Sequence, residues 1–281
     1  MKYANFHLHS LYSDAAFTPE QLVLIGKALG YKALSLTDHE TDGGWTEFSY
    51  TAQKEGIEAV LGAEFTGMEG AHWLHLTALD YDYNEPGLRA MVKRLCDEMT
   101  EYTRKRFLRA LENGWLEGIC WDDILSSVGP DTWVCHDTVQ IVVNNRRLVP
   151  HDFDWETFRR NTWFCPEVRV WKPAYCTAEE VIRTVRKAGG VVCLAHPNGQ
   201  THLVEKLVDY GLNGIEVDHP ELSEETVRLA VEAAESFKLY RSGGTDHTGP
   251  MSACGGKLAV PAFNGLTEEE FYTLKNRKLG S

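Results

Sequence analysis

Short apolar runs alternate with amphipathic stretches along the first third of the chain and again along the last. The opening fourteen residues begin with an apolar, aromatic run that reads as a buried strand ending in His7 and His9. Side chains two apart on a strand share a face, so both imidazoles point the same way. Thr18-Pro19-Glu20 then opens a helix to about residue 29, with threonine at the N-cap, proline in the first turn and Gly30 as the stop. Strands are predicted over 33–37, 57–65 and 72–79, with a helix over 41–55 closed by Gly56. Helix-sized connections between strands predict parallel pairing with right-handed crossovers.

The rhythm breaks at Pro86, where one long helical stretch runs to residue 113 and shorter helical pieces follow to about residue 160. Alternation returns at Thr177-Ala178-Glu179-Glu180, a capping-box pattern opening a helix that ends at Gly189-Gly190. Strands over 191–195 and 214–217 and helices over 202–210 and 223–237 follow, and Leu239-Tyr240-Arg241 leads into the stretch 242–249. The expected organisation is an α/β barrel built from 1–85 and 171–281, with 86–170 inserted as a mainly helical cap over its mouth. That block carries Arg89, Lys93, Arg94, Arg104, Lys105, Arg106 and Arg109, either a solvated face balanced by glutamates or a positive lid over an anionic ligand.

Composition narrows the class. At 281 residues, 43% hydrophobic and with 24 glycines, the chain suits a soluble α/β protein rich in tight turns. No apolar run approaches the roughly 18 residues of a membrane span, and the N-terminus has no charged segment leading into an apolar one. Seven scattered cysteines without a Cys-x-x-Cys pair read as reduced thiols, so a cytoplasmic protein is expected. A net charge of −13 argues against a broad grip on nucleic acid.

The chemistry lies where predicted strands end: His7, His9, Asp38-His39, Glu64, His75, His196, Asp218-His219 and Asp246-His247. In a parallel barrel those ends gather at one face, which carries the active site. Seven of the eleven histidines fall there, although chance would scatter them over helices and loops. Nitrogen and carboxylate donors in one place suit Mn²⁺, Fe²⁺ or Zn²⁺ better than Mg²⁺ or Ca²⁺. Gly-x-Ser-x-Gly and Walker-type phosphate loops are absent from the sequence.

His-x-His with Ser13-Asp14, Thr-Asp-His (37–39), Gly-x-Glu-Phe (62–65), Ala-His-Pro (195–197), Gly-Ile-Glu-Val (214–217) and Gly-x-Asp-His (244–247) resemble the polymerase and histidinol phosphatase (PHP) family. Among its members they are most similar to the stand-alone metal-dependent phosphoesterases, over roughly residues 3–80 and 177–262. The resemblance implies a distorted (β/α)7 barrel with two or three divalent metals in its mouth. It implies His7, His9, Glu64 and Asp246 on one metal, with Glu64 bridging to a second held by His75 and His196. Asp14, His39 and His247 would hold the third. The implied reaction is hydrolysis of a small phosphorylated metabolite, nucleotide or sugar phosphate, by a metal-activated hydroxide at the Glu64 site. His247 and Asp14 are candidates to protonate the leaving oxygen.

Two departures bear on this. Where the family usually reads Asp-x-His, Asp246 and His247 are adjacent and Thr248 follows, so either His247 swings in or the third site is weakened. Where relatives often carry Arg-Pro-His on a cap helix, this chain has Val134-Cys135-His136. His136, Lys172 and Asn198 are the substrate-contact candidates. His72, His151 and His202 read as bystanders, His219 stays outside the ligand set, and Asp38 is a helix cap or an orienter of its neighbours. Nucleic acid enters only through the alternative, an exonuclease acting on chain ends. A metal-binding accessory domain with a degenerate site is the reading from another class.

Overall fold

The computed structural model describes residues 2–128, 133–162, 175–249 and 263–278. Among the described residues eight strands form one sheet: β1 (Ala4–Asn5), β2 (Ala33–Leu36), β3 (Glu58–Glu69), β4 (His72–Leu79), β5 (Cys176–Thr177), β6 (Val191–Leu194), β7 (Gly214–Asp218) and β8 (Tyr240–Gly243). Seven follow the order β1-β2-β3-β4-β6-β7-β8, while short β5 pairs beside β3. Leu8 bridges His247 in parallel, and the Phe6 amide donates to the Gly243 carbonyl at 3.1 Å, so the two ends of the path meet. The sheet is a nearly closed, barrel-like α/β structure, as expected.

Helix α1 (Pro19–Leu29) has the start and stop read from the sequence: the Thr18 hydroxyl accepts from the Gln21 amide, and Gly30 takes the left-handed conformation at φ 93°. Helix α2 (Trp45–Glu55) begins four residues later than expected. The intervening Asp42 carboxylate is buried and accepts from the Arg89 guanidinium and the Tyr81 hydroxyl, which holds that stretch out of the helix.

All-parallel pairing fails at β4. It runs antiparallel to both β3 and β6, because only Gly70 and Ala71 separate β3 from β4 and a two-residue link permits a hairpin but no crossover. The reversal places the N-terminal half of β4 beside the C-terminal half of β3, with His75 opposite Thr66. His75 therefore reaches the same barrel end as the strand C-termini without lying at one.

Residues 86–162 contribute α3 (Pro86–Glu112), α4 (Trp121–Leu125), α5 (His136–Asn145) and α6 (Trp155–Thr162). The first half of α3 packs into the main core through Leu88, Met91 and Leu95. Its second half, with Phe107 and Ala110, joins Ile124, Val139 and Phe158 in a separate cluster. Helices α7 (Ala178–Lys187), α8 (Val204–Tyr210), α9 (Glu224–Phe237) and α10 (Glu268–Lys275) complete the described chain. On β4, Leu74 and Leu76 face Val181 and Ile182 of α7 in the outer core. Leu79, at the far end of β4 from His75, packs with Val60, Val191 and Phe271 of α10.

Most cations of α3 are paired: Arg89 with Asp42, Lys93 with Asp97, Arg94 with Glu180 and Arg104 with Glu101. Four of the seven cations considered for a positive lid thus serve local ion pairs.

Candidate metal centre

Glu64, inside β3, is the hub. Its Oε1 lies 3.2 Å from His7 Nε2, 3.3 Å from His75 Nδ1 and 3.2 Å from His196 Nε2. Its Oε2 lies 3.3 Å from His9 Nε2 and 3.2 Å from His39 Nδ1. Five imidazoles from four staves of the barrel thus meet one buried carboxylate. Asp246, after β8, stands opposite with Oδ1 2.9 Å from His9 Nε2 and 3.5 Å from His7 Nε2. Asp14 sits at the edge, 3.7 Å from His39 Nε2 and 3.9 Å from His9 Nδ1.

Local structure explains each position. Asp38 caps no helix; it takes the Ser10 amide at 2.6 Å and the Ser10 and Ser13 hydroxyls at 2.7 and 2.6 Å, folding the loop that presents Asp14. His39 bridges Glu64 in parallel, so β2 and β3 deliver both together. His196 and Asp246 have φ of 24° and 47°, a backbone region that non-glycine residues seldom occupy and that clusters at functional sites. The Glu216 carboxylate holds the first by accepting the His196 amide at 2.7 Å, and the His7 carbonyl holds the second by accepting the Asp246 amide at 2.9 Å.

Charge follows from crowding. Burial opposes ionisation of Glu64, yet the rings of His7, His75 and His39 outweigh it and hold the carboxyl well below its usual range. Asp246 is held well below its range in the same way, by His7, His219 and His9 against burial. Burial works against protonated His7 and His9, but the surrounding carboxylates win and lift His9 to about 10 and His7 well above its ordinary value. At His39 burial prevails and lowers the ring to about 4.

Four donor groups fall within 4.8 Å: His7, His9 and Asp246; His7, Glu64 and His196; His9, His39 and Glu64; His7, Glu216 and His219. His7 Nε2, both ring nitrogens of His9, Asp14 Oδ1 and both oxygens of Glu64 are buried without a hydrogen bond. Buried polar atoms are normally paired, so converging ring nitrogens and carboxylate oxygens left this way fit divalent cations of the nitrogen-and-oxygen-binding kind, which displace the ring protons on binding.

Of the residues singled out from the sequence, His7, His9, His39, Glu64, His75, His196 and Asp246 come together and Asp14 borders them. His247 stands apart, with its ring 5.5 Å from that of Phe17. Asn198 is exposed in the turn after His196, its amide donating to the His196 carbonyl at 2.6 Å. His136 heads α5, but its side chain and all of Lys172 lie outside the described residues.

Two buried groups were not assigned from the sequence. Glu216 accepts from His7 Nδ1 at 3.1 Å, and His219 donates through Nε2 to Asp246 Oδ2 at 3.1 Å. The tautomer of His219 follows from its other nitrogen, which accepts the Glu221 amide at 3.1 Å. A lone carboxylate in the apolar run Gly-Ile-Glu-Val is the signal that could have exposed Glu216.

Comparison with known proteins points the same way. The PHP domain family model matches residues 5–127. A 3′,5′-nucleoside bisphosphate phosphatase of Chromobacterium violaceum is 28% identical over 88% of this chain and 87% of its own. A 5′-3′ exoribonuclease of Haemophilus influenzae is 25% identical over 86% of this chain and 88% of its own. A structure described as a metal-dependent phosphoesterase from Bifidobacterium adolescentis superposes with a TM-score of 0.82 at 22% identity, covering 99% of this chain and 97% of that one, and shares the fold. Over residues 5–127 the chain thus matches the PHP domain, and over most of its length it is similar to a bisphosphate phosphatase and an exoribonuclease.

Proposed function

We propose that this protein hydrolyses a small phosphorylated metabolite, of nucleotide or sugar-phosphate type, with two or three divalent cations drawn from Mn, Fe and Zn. The observation that carries the reading is the Glu64 carboxylate with five imidazole nitrogens within 3.3 Å. His7, His9, Glu64 and Asp246 would hold one cation, Glu64 with His75 and His196 a second, and Asp14 with His39 a third. When bound, such cations polarise a phosphoryl oxygen and lower the pKa of water toward neutrality.

The chain's own residues prepare that chemistry. Glu216 accepts a hydrogen bond from Nδ1–H of His7, so the nitrogen left for a cation, once its own proton is displaced, is Nε2, which faces Glu64 and Asp246. His219 fixes one oxygen of Asp246, leaving the other toward His9.

Residues 86–170 are proposed as the cap. Trp133 Nε1 donates to the His39 carbonyl at 2.6 Å and the Cys135 thiol to the Ser13 carbonyl at 2.8 Å, so this block touches both loops that carry Asp14 and His39. A capped, acidic site favours a compact substrate, in line with the bisphosphate phosphatase relative. The exoribonuclease relative supports the second reading, attack on a nucleic-acid end. Among the described residues no helix is long and apolar enough to cross a membrane.

The test is phosphate release by protein loaded in turn with Mn²⁺, Fe²⁺ and Zn²⁺, across nucleoside phosphates, sugar phosphates and short oligoribonucleotides. Turnover of the small esters, abolished in Glu64→Gln, is the expected result. Turnover confined to oligonucleotides would select the exonuclease, and metal uptake without any turnover would leave a binding module.

A further inference from the structure

One feature of the barrel mouth takes no part in holding cations. Cross-strand register sets Thr66 opposite His75 and Met68 opposite Trp73, so Trp73 shares the inner face of β4 with His75, one layer nearer the mouth. The outer-face residues confirm the alternation: Leu74 and Leu76 are buried against α7, and His72 packs its ring 5.3 Å from that of His202. The Trp73 indole lies edge-on to the His75 ring with centroids 6.2 Å apart, and the Tyr175 ring packs against it at 4.5 Å in a tilted arrangement. Gln200 Nε2 donates to the Trp73 carbonyl at 3.0 Å and pins the strand there. Despite these neighbours the residue remains 45% exposed.

A large indole held in place on a strand and open to solvent one ring away from the cation-binding histidines is a stacking platform. A sugar ring lays only its C–H face against an indole, whereas a nucleobase lays a full π-face over it, and base–aromatic stacking is worth enough to steer selectivity. We infer that Trp73 binds the base of a nucleoside phosphate whose phosphate lies beside His75, which makes the substrate class nucleotides rather than sugar phosphates. This rests on the phosphoesterase reading above and names its substrate.

The matched pair adenosine 5′-monophosphate and ribose 5-phosphate differs only by the base. In the metal-loaded protein the preference for the nucleotide in kcat/KM should fall about tenfold in Trp73→Ala, mostly through KM, and recover in Trp73→Phe. An unchanged preference in Trp73→Ala, or one that phenylalanine does not recover, overturns the inference. Equilibrium dialysis separates it from the activity itself. Should neither compound be hydrolysed, the phosphoesterase reading fails, yet tighter retention of the nucleotide than of ribose 5-phosphate, lost in Trp73→Ala, still supports the platform. Equal retention of the two by the unaltered protein overturns it.

Discussion

Glu216 Oε1 lies 3.1 Å from His7 Nδ1, and the other oxygen of the same carboxylate accepts the His196 amide at 2.7 Å. One buried side chain thereby fixes the ring of one proposed ligand and the backbone of another, where φ is 24°. An amide in its place has one acceptor and one donor end, so Glu216→Gln satisfies one of these partners and opposes the other. Outer partners of metal-bound histidines are worth roughly 10–100-fold in affinity. Chelator competition on Glu216→Gln should show a loss of that size with little change in secondary structure. Retention equal to that of the unaltered protein would remove the orienting role.

Protons and cations compete for the same atoms. His9 is lifted to about 10 in the metal-free fold against an ordinary 6.5, so its stabilising pairing is complete below about pH 6.5 and is lost as pH rises through 10. Glu64 and Asp246 are held below their ordinary values of 4.5 and 3.8, so what they contribute is present above those values and fades as pH falls further. The lowered His39 ring costs stability as pH falls below 6.5, so metal-stripped protein should melt highest near pH 6.5 and lose Tm toward alkaline pH, whereas cation affinity should rise over that alkaline range because binding displaces protons. Thermal melts with and without Mn²⁺ from pH 5 to 9 test both slopes. A metal-free Tm that climbs with pH would contradict the charge states assigned to His7 and His9.

His247 was placed on the third cation by resemblance, but its ring packs beside Phe17 and lines a small space with Leu8, Leu22 and Tyr31. Elemental analysis should find the same number of cations per chain in His247→Ala as in the unaltered protein, while Asp14→Asn and His39→Ala lose the most weakly held one. Loss of a cation in His247→Ala would restore the family's ligand pattern.

The local pattern foretold the α1 caps and the bounds of β4, because each depends on neighbours in sequence. The antiparallel course of β4 was also written there, in the two residues between it and β3, but the repeating rhythm around it suggested otherwise. Glu216 and His219 were harder to place. Their roles depend on which atoms of His7, His196 and Asp246 they face, and those partners stand between 20 and 209 positions away along the chain. The adjacency of Asp246 and His247 left two outcomes open in the sequence, and the long-range packing of the His247 ring beside Phe17 distinguishes them.

Closure of the barrel is the last dependency. At Gly244 an added Cβ would lie 2.4 Å from both the amide nitrogen and the Cβ of His7 and 2.7 Å from Asn5 Oδ1. Two of those atoms belong to the strand carrying His7 and cannot rotate away, so Gly244→Ala must push the end of β8 from the end of β1. That movement separates Asp246 from His7 and His9. Overpacking of this kind costs about 1–3 kcal/mol, and the cation shared across the seam should be lost well before the fold. Gly56 provides the contrast: its φ of 71° also disfavours alanine, but no atom lies within 4 Å of the added carbon. Gly56→Ala should lower Tm by a comparable few degrees and keep its full metal content, which distinguishes damage at the seam from loss of stability alone.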